Sequence, residues 1–223
     1  MNFLADGPGA RVISDQIFLS GGGTKKQAIA LDRRFAEAVR ASGCVRCIYL
    51  PHAQPVDRFA SCRNWFRKTY GLLFEDVLLP LDLDDAWLDD IRPVASDVIY
   101  LGGGCTGDLL TALRSSGWDQ AIVEHARAGG LIYGFSAGAI ALGPSIESAP
   151  ESEWNAGSHD GLGLVPAMIV AHYEARSASR LRQLATLHQV AVWGIPEDGG
   201  VIVTRDGHAR SVGVDWPVAH PER

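Results

Sequence analysis

The stretch Leu131-Ile-Tyr-Gly-Phe-Ser-Ala-Gly-Ala-Ile-Ala-Leu142 decides the fold class. Leu131 to Gly134 is a short apolar run of strand length. A serine between two glycines interrupts it. A short apolar helix is then expected up to Leu142, where Gly143-Pro144 stops it. A buried strand that turns on glycine straight into a helix is the repeating unit of a parallel α/β sheet.

The same unit recurs on both sides of this stretch. Upstream, Gln16-Ile-Phe-Leu19 reads as a strand and ends at Ser20-Gly-Gly-Gly23. A helix is expected from Lys26 to Ser42, with Ala28, Leu31, Phe35, Ala38 and Val39 on one stripe and Gly43 as its stop. Val45 to Leu50 is a buried strand. Phe59, Cys62, Phe66 and Tyr70 mark the next helix. A strand near Asp76 to Leu79 and a short helix near Ala86 to Ile91 follow. Asp97 to Leu101 is a strand, and helices are expected over Asp108–Ser115 and Asp119–Ala128.

Downstream, Glu151 to Gly163 is polar and reads as a loop. Met168 to Ala171 is a strand, Ser177 to His188 a helix and Val190 to Trp193 a strand. Val201–Thr204 and Ala209–Val214 read as a hairpin over Arg205-Asp-Gly207. The expectation is a three-layer α/β/α domain with a mostly parallel central sheet, spanning residues 1–223 as one unit. In such sheets the site lies at the carboxyl ends of the strands.

Bulk composition bounds the function. The chain has 223 residues, 47% of them hydrophobic, enough for one well-filled core. A formal net charge of −6 without a basic block argues against nucleic acid or an anionic membrane as partner. The start Met-Asn-Phe-Leu-Ala-Asp-Gly-Pro-Gly-Ala lacks the basic and apolar regions of a signal peptide, and no apolar run reaches spanning length, so a cytoplasmic chain is expected. Cys44-Val-Arg-Cys47 has no second pair at zinc spacing. With Cys62 and Cys105 it reads as packing thiols in a reducing compartment.

Four places carry polar groups just after a strand. Gly134-Phe-Ser-Ala-Gly138 has the form of a nucleophile elbow: a tight turn thrusts the serine Oγ above the sheet, and the following helix start offers free N–H groups to an oxyanion. A helix-capping serine fits the same letters. Leu101-Gly-Gly-Gly-Cys-Thr-Gly-Asp-Leu-Leu110 is another strand, glycine turn and helix, suited to a second oxyanion donor; it lacks the Lys-Ser/Thr ending of a phosphate-binding loop. His172, in Val170-Ala-His-Tyr-Glu-Ala-Arg176, is placed as a general base. Trp193-Gly-Ile-Pro-Glu-Asp-Gly199 offers an acid to orient it, and either Glu197 or Asp198 fits that role.

Taken together, these segments resemble the peptidase E family of serine peptidases, the aspartyl dipeptidases. Gly-Gly-Gly-Cys-Thr, Gly-Phe-Ser-Ala-Gly-Ala, Gly-Leu-Gly-Leu-Val-Pro-Ala-Met-Ile-Val-Ala-His-Tyr and Gly-Ile-Pro-Glu-Asp-Gly-Gly come in the family's order. The resemblance covers roughly Asp97 to Val214. It implies a fold akin to class I glutamine amidotransferases, with Ser136 as nucleophile, His172 as base, Glu197 as the orienting acid, and the N–H groups of Gly104 and Ala137 as oxyanion hole. It implies no cofactor and no metal, and a small peptide, typically a dipeptide with N-terminal Asp, as the partner of a monomer or homodimer. Cyanophycinases share the serine turn and a segment like His172-Tyr-Glu-Ala-Arg176.

Two departures bear on substrate. Cys105 stands where the family has Asn after the glycines. The family's Asn-Asp stretch in the loop after the nucleophile helix has no clear equal here. Arg176, four residues beyond His172, is the expected anchor for an acidic peptide, because a guanidinium grips carboxylates bidentately. A silent binding module that keeps the elbow for structural reasons is the competing reading; intact Ser136, His172 and Glu197 argue against it.

Overall fold

The computed structural model describes residues 15–44, 46–71, 79–82 (backbone alone) and 92–221. Its main sheet has seven strands in the order β3-β2-β4-β5-β1-β8-β9. These are β1 (Asp15–Ser20), β2 (Arg46–Leu50), β3 (Leu79–Asp82), β4 (Asp97–Leu101), β5 (Leu131–Phe135), β8 (Gly199–Thr204) and β9 (Ala209–Gly213). The run from β3 to β1 is parallel throughout. The hairpin of β8 and β9 joins β1 antiparallel, as its Asp-Gly turn foreshadows.

Helices cover both faces because the strands alternate. Ile17, Leu19, Ile48, Leu50, Ile99, Leu101 and Ile132 point one way. They pack against α3 (Thr106–Ser116), α4 (Trp118–Arg127) and α5 (Ala137–Ala141) through Leu109, Leu113, Trp118, Ile122 and Ile140. Phe18, Cys47, Tyr49, Val98, Tyr100 and Tyr133 point the other way, onto α1 (Lys25–Ser42) and α2 (Phe59–Tyr70). A period of two along each strand thus builds two cores on one sheet. Cys44 and Cys47 are buried thiols in the second core, as their reading as packing residues expects.

This second core encloses an acid. Asp32 of α1 is 1% exposed and accepts hydrogen bonds from Tyr133 at 2.7 Å and Tyr70 at 3.2 Å. Its Oδ2 has no hydrogen-bond partner among the described residues. Burial pushes the Asp32 carboxyl up to about 6, against the pull of the two tyrosine hydroxyls.

The strands expected near residues 168–171 and 190–193 do form, as β6 (Ala167–Val170) and β7 (Ala191–Gly194), but outside the main sheet. They pair in parallel and, with β10 (Val218–Ala219), make a separate three-stranded sheet. Met168, Val170 and Val192 pack there on Leu181, Leu184 and Ala185 of α6 (Ala178–His188), a third small core. The expected strand near 76–79 overlaps β3 only at Leu79; residues 76–78 and the expected helix at 86–91 lie outside the described residues. Among the described residues no helix is long and apolar enough to cross a membrane.

Candidate active site

Ser136 sits where β5 turns into α5, with φ 51° and ψ −108°. A non-glycine residue rarely adopts such a backbone, and it is strained there. The flanking glycines make the turn possible. A Cβ on Gly134 would lie 2.8 Å from Ala139 backbone, and one on Gly138 would run into the Leu101 carbonyl. Ser136 N–H donates to the Ser20 carbonyl at 3.1 Å, which ties the elbow to the end of β1.

His172 follows β6 and also has a positive φ, of 51°. Its backbone N–H donates to Gly21 O at 2.9 Å, and that of Tyr173 donates to Ile195 O at 3.0 Å. These bonds lock the histidine turn between the two sheets. The imidazole Nε2 is 2.8 Å from Ser136 Oγ, and Nδ1 is 2.9 Å from Glu197 Oε1. Glu197, and not its neighbour Asp198, is the carboxylate that meets His172. His172 and Glu197 side chains are about half exposed, so the line opens on solvent. The Glu197 carboxyl is held below the usual carboxylate range, first by its bond with His172 and then by Gln27.

Two further contributors to this line come from the segment after β1; the role of Gln27 has no signature in the sequence, and that of Gly22 has only the run of glycines. Gln27 closes the capping box of α1 by accepting from Thr24 N–H at 3.0 Å, and its Nε2 donates to Glu197 Oε2 at 3.1 Å. Gly22, in the Ser20–Gly23 turn, lies against the histidine. With φ 95°, it is so close that a Cβ would collide with the His172 ring and lie 2.9 Å from Ser136 Cβ. The turn's run of glycines was the available signal; its contact with His172 is 150 residues away in the chain.

The turn after β4 brings its peptides beside Ser136. An ideal Cβ on Gly103 would be 3.3 Å from Ser136 Cβ. The turn is pinned from the loop after β2. Gly102 N–H donates to Leu50 O at 3.0 Å, Cys105 N–H to Ala53 O at 2.6 Å, and Gln54 Nε2 to Gly103 O at 2.8 Å. A trans peptide directs its C=O and N–H in opposite senses. Holding the Gly103 carbonyl on Gln54 therefore turns the Gly104 N–H away from Gln54. Ala137 is the first residue of α5, so its N–H belongs to the unpaired first turn.

Gly104, Ser136, Ala137 and His172 all line one cavity of about 420 Å³. Glu153 and Arg180 are the charged side chains of its wall. Glu153 Oε2 accepts from Thr106 N–H at 2.8 Å and Thr106 Oγ1 at 2.9 Å, an acid capping the start of α3 from 47 residues away. Arg180 Nη2 donates to the carbonyls of Ser148 at 3.0 Å and Ala149 at 3.1 Å. Arg176 lies elsewhere. Its side chain is 82% exposed, pairs with Glu174 at 2.6 Å and does not line the cavity. Cys105 is also outside the wall; its Sγ is 3.9 Å from Asn155 Oδ1, and burial pushes its thiol up.

A comparison with known families settles the lineage of this arrangement. Residues 17–212 match the model of peptidase family S51. The chain belongs to that family. This bears out the resemblance to peptidase E read from the glycine, serine and histidine segments. An uncharacterized peptidase of Listeria monocytogenes serovar 1/2a (strain EGD-e) is 34% identical over 113 residues, 48% of this chain and 53% of that one. A cobyric acid synthase of Caulobacter sp. (strain K31) is 37% identical over 95 residues, 41% of this chain and 20% of the synthase. The chain thus spans about half the length, or less, of these curated relatives. In three dimensions, a candidate peptidase E of Listeria monocytogenes EGD-e superposes with a TM-score of 0.65 at 20% identity, covering 90% of this chain and 100% of that one. That likeness shows that the two chains share a fold.

Proposed function

We propose that this chain is a serine peptidase that hydrolyses short peptides, with dipeptides carrying an N-terminal Asp as its preferred class. One observation carries the reading: the line Ser136 Oγ, His172 Nε2, His172 Nδ1, Glu197 Oε1, with hydrogen-bond distances of 2.8 and 2.9 Å. Membership of family S51 supports it.

In this reading His172 takes the Ser136 proton as Oγ attacks the scissile carbonyl. Glu197 fixes the imidazole tautomer and stabilises the imidazolium, and Gln27 holds the second carboxylate oxygen. The N–H groups of Gly104 and Ala137 receive the oxyanion. His172 then passes the proton to the leaving amine, and water releases the acid from Ser136. The charged wall gives the acyl half its place. Glu153 faces the free α-ammonium, and Arg180, in the role expected of Arg176, faces the aspartyl carboxylate.

The test is hydrolysis of Asp-X, Ala-X, Glu-X and β-aspartyl dipeptides by wild type and Ser136→Ala, with a phosphonate probe on both. Cleavage of Asp-X by wild type alone, with labelling of Ser136, is expected. Cleavage of other amides only would remove the aspartyl preference and keep the nucleophile. No cleavage and no labelling would return Ser136 to the role of a helix-start residue.

A further inference from the structure

The cavity with Glu153 and Arg180 accounts for one half of a dipeptide. A second cavity, of about 380 Å³, also opens at the nucleophile and shares Gly104, Ser136 and His172 with the first. Its chemistry is different. Tyr49, Trp65 and Phe135 supply rings to its wall, and half-buried Cys62 lines it with them. Among the described residues no Asp, Glu, Lys or Arg lines it.

The wall is firm on one side and open on the other. Tyr49 is buried and stacks on Phe66, with centroids 4.4 Å apart and planes 9° from parallel. Trp65 is 39% exposed although it belongs to α2, whose other face is buried in the second core. Its ring lies 5.6 Å from that of Phe135, the residue just before the nucleophile. An exposed indole beside two further rings, at the reacting atom, is a surface that gains by covering with apolar atoms.

We propose that this aromatic cavity is the subsite for the residue released as free amine, and that it selects a large apolar or aromatic side chain. The assignment of halves rests on the peptidase reading above. Substrate must diverge in two directions from the carbon that Ser136 attacks. The charged cavity suits the acidic amino-terminal residue, which leaves the aromatic cavity for its neighbour.

The experiment is titration calorimetry of Asp-Phe, Asp-Leu and Asp-Gly into the Ser136→Ala protein, where binding is read without turnover. Asp-Phe and Asp-Leu are expected to bind roughly ten- to hundredfold more tightly than Asp-Gly, the range apolar pockets reach. On that background Trp65→Ala should bring the ratio of the Asp-Gly and Asp-Phe dissociation constants close to one. Cys62→Trp, which fills the cavity instead of widening it, should do the same by exclusion. Equal affinities for the three dipeptides, no binding of any, or a preference that survives both variants would overturn the subsite. Hydrolysis by wild type is measured alongside. Preference without hydrolysis keeps the subsite and removes the peptidase reading; hydrolysis without preference does the reverse.

Discussion

Replacing Ser136 by glycine should give a more stable protein than replacing it by alanine. Both variants lose the hydroxyl and its bond to His172, so that loss cancels in the comparison. What differs is the backbone. At φ 51° and ψ −108° an alanine keeps the strain of the elbow, about 1–3 kcal/mol, and glycine releases it. Glycine returns about 0.4–1 kcal/mol through the greater freedom of its unfolded chain. The balance favours glycine by about 1 kcal/mol, or about 2–4 °C in Tm for a chain of this length. Thermal and urea unfolding of the two variants, followed by circular dichroism, measure it. At ordinary positions the order is reversed, with alanine the more stable. Ser136→Ala matching or exceeding Ser136→Gly would mean that the elbow stores no strain.

Two further perturbations follow from neighbours of the site. Gln54→Met keeps the length of the side chain and removes the donor on Gly103 O; releasing that peptide should lower kcat about 2- to 12-fold, the worth of one hydrogen bond, as steady-state kinetics on Asp-Phe would show. An unchanged kcat would disprove the locking role. Asp32 gives a pH dependence of stability. Its carboxyl is raised from 3.8 to about 6 on folding, so between those values the folded chain keeps a proton that the unfolded chain has lost. Stability therefore falls as pH rises through that window, by about 3 kcal/mol at 1.36 kcal/mol per pH unit. Urea unfolding between pH 4 and 7 should show this slope in wild type and a flatter one in Asp32→Asn.

The parts of the site that were legible in the sequence are those whose geometry is local. Gly134, Ser136 and Gly138 are spaced by the turn they make, so the letters carry the shape. The strand ends before His172 and Glu197 are likewise local. Gln27, Gln54, Glu153 and Arg180 act across 31 to 170 residues, and nothing in their neighbourhoods marks them for the site. Nearness in sequence to His172 favours Arg176, but the chain turns there through a short 3-10 segment at Ala175–Ser177, and the next turn of helix carries Arg180 to the cavity. The same limit holds for the fold. Apolar runs at β6 and β7 announce strands, but a strand's composition does not name its partner, and these two pair with each other and β10 instead of the main sheet.

That separation divides the chemistry between two bodies of different strength. Ser136 Oγ, the proposed nucleophile, rides on the seven-stranded sheet, with large cores on both faces. His172 and Glu197 follow strands of the three-stranded sheet, which packs one face on α6 and the other, through Ala167, Ile169 and Trp193, into the first core. The glycine turn after β1 is a rivet between them at the site itself, through Gly21 O and the seat of the imidazole at Gly22. Slippage of the lesser layer by an ångström would part proton donor from acceptor while every tyrosine of the greater layer stayed buried. On warming, catalysis should fail before the fold does, and the interval between the two temperatures reports the grip of that rivet.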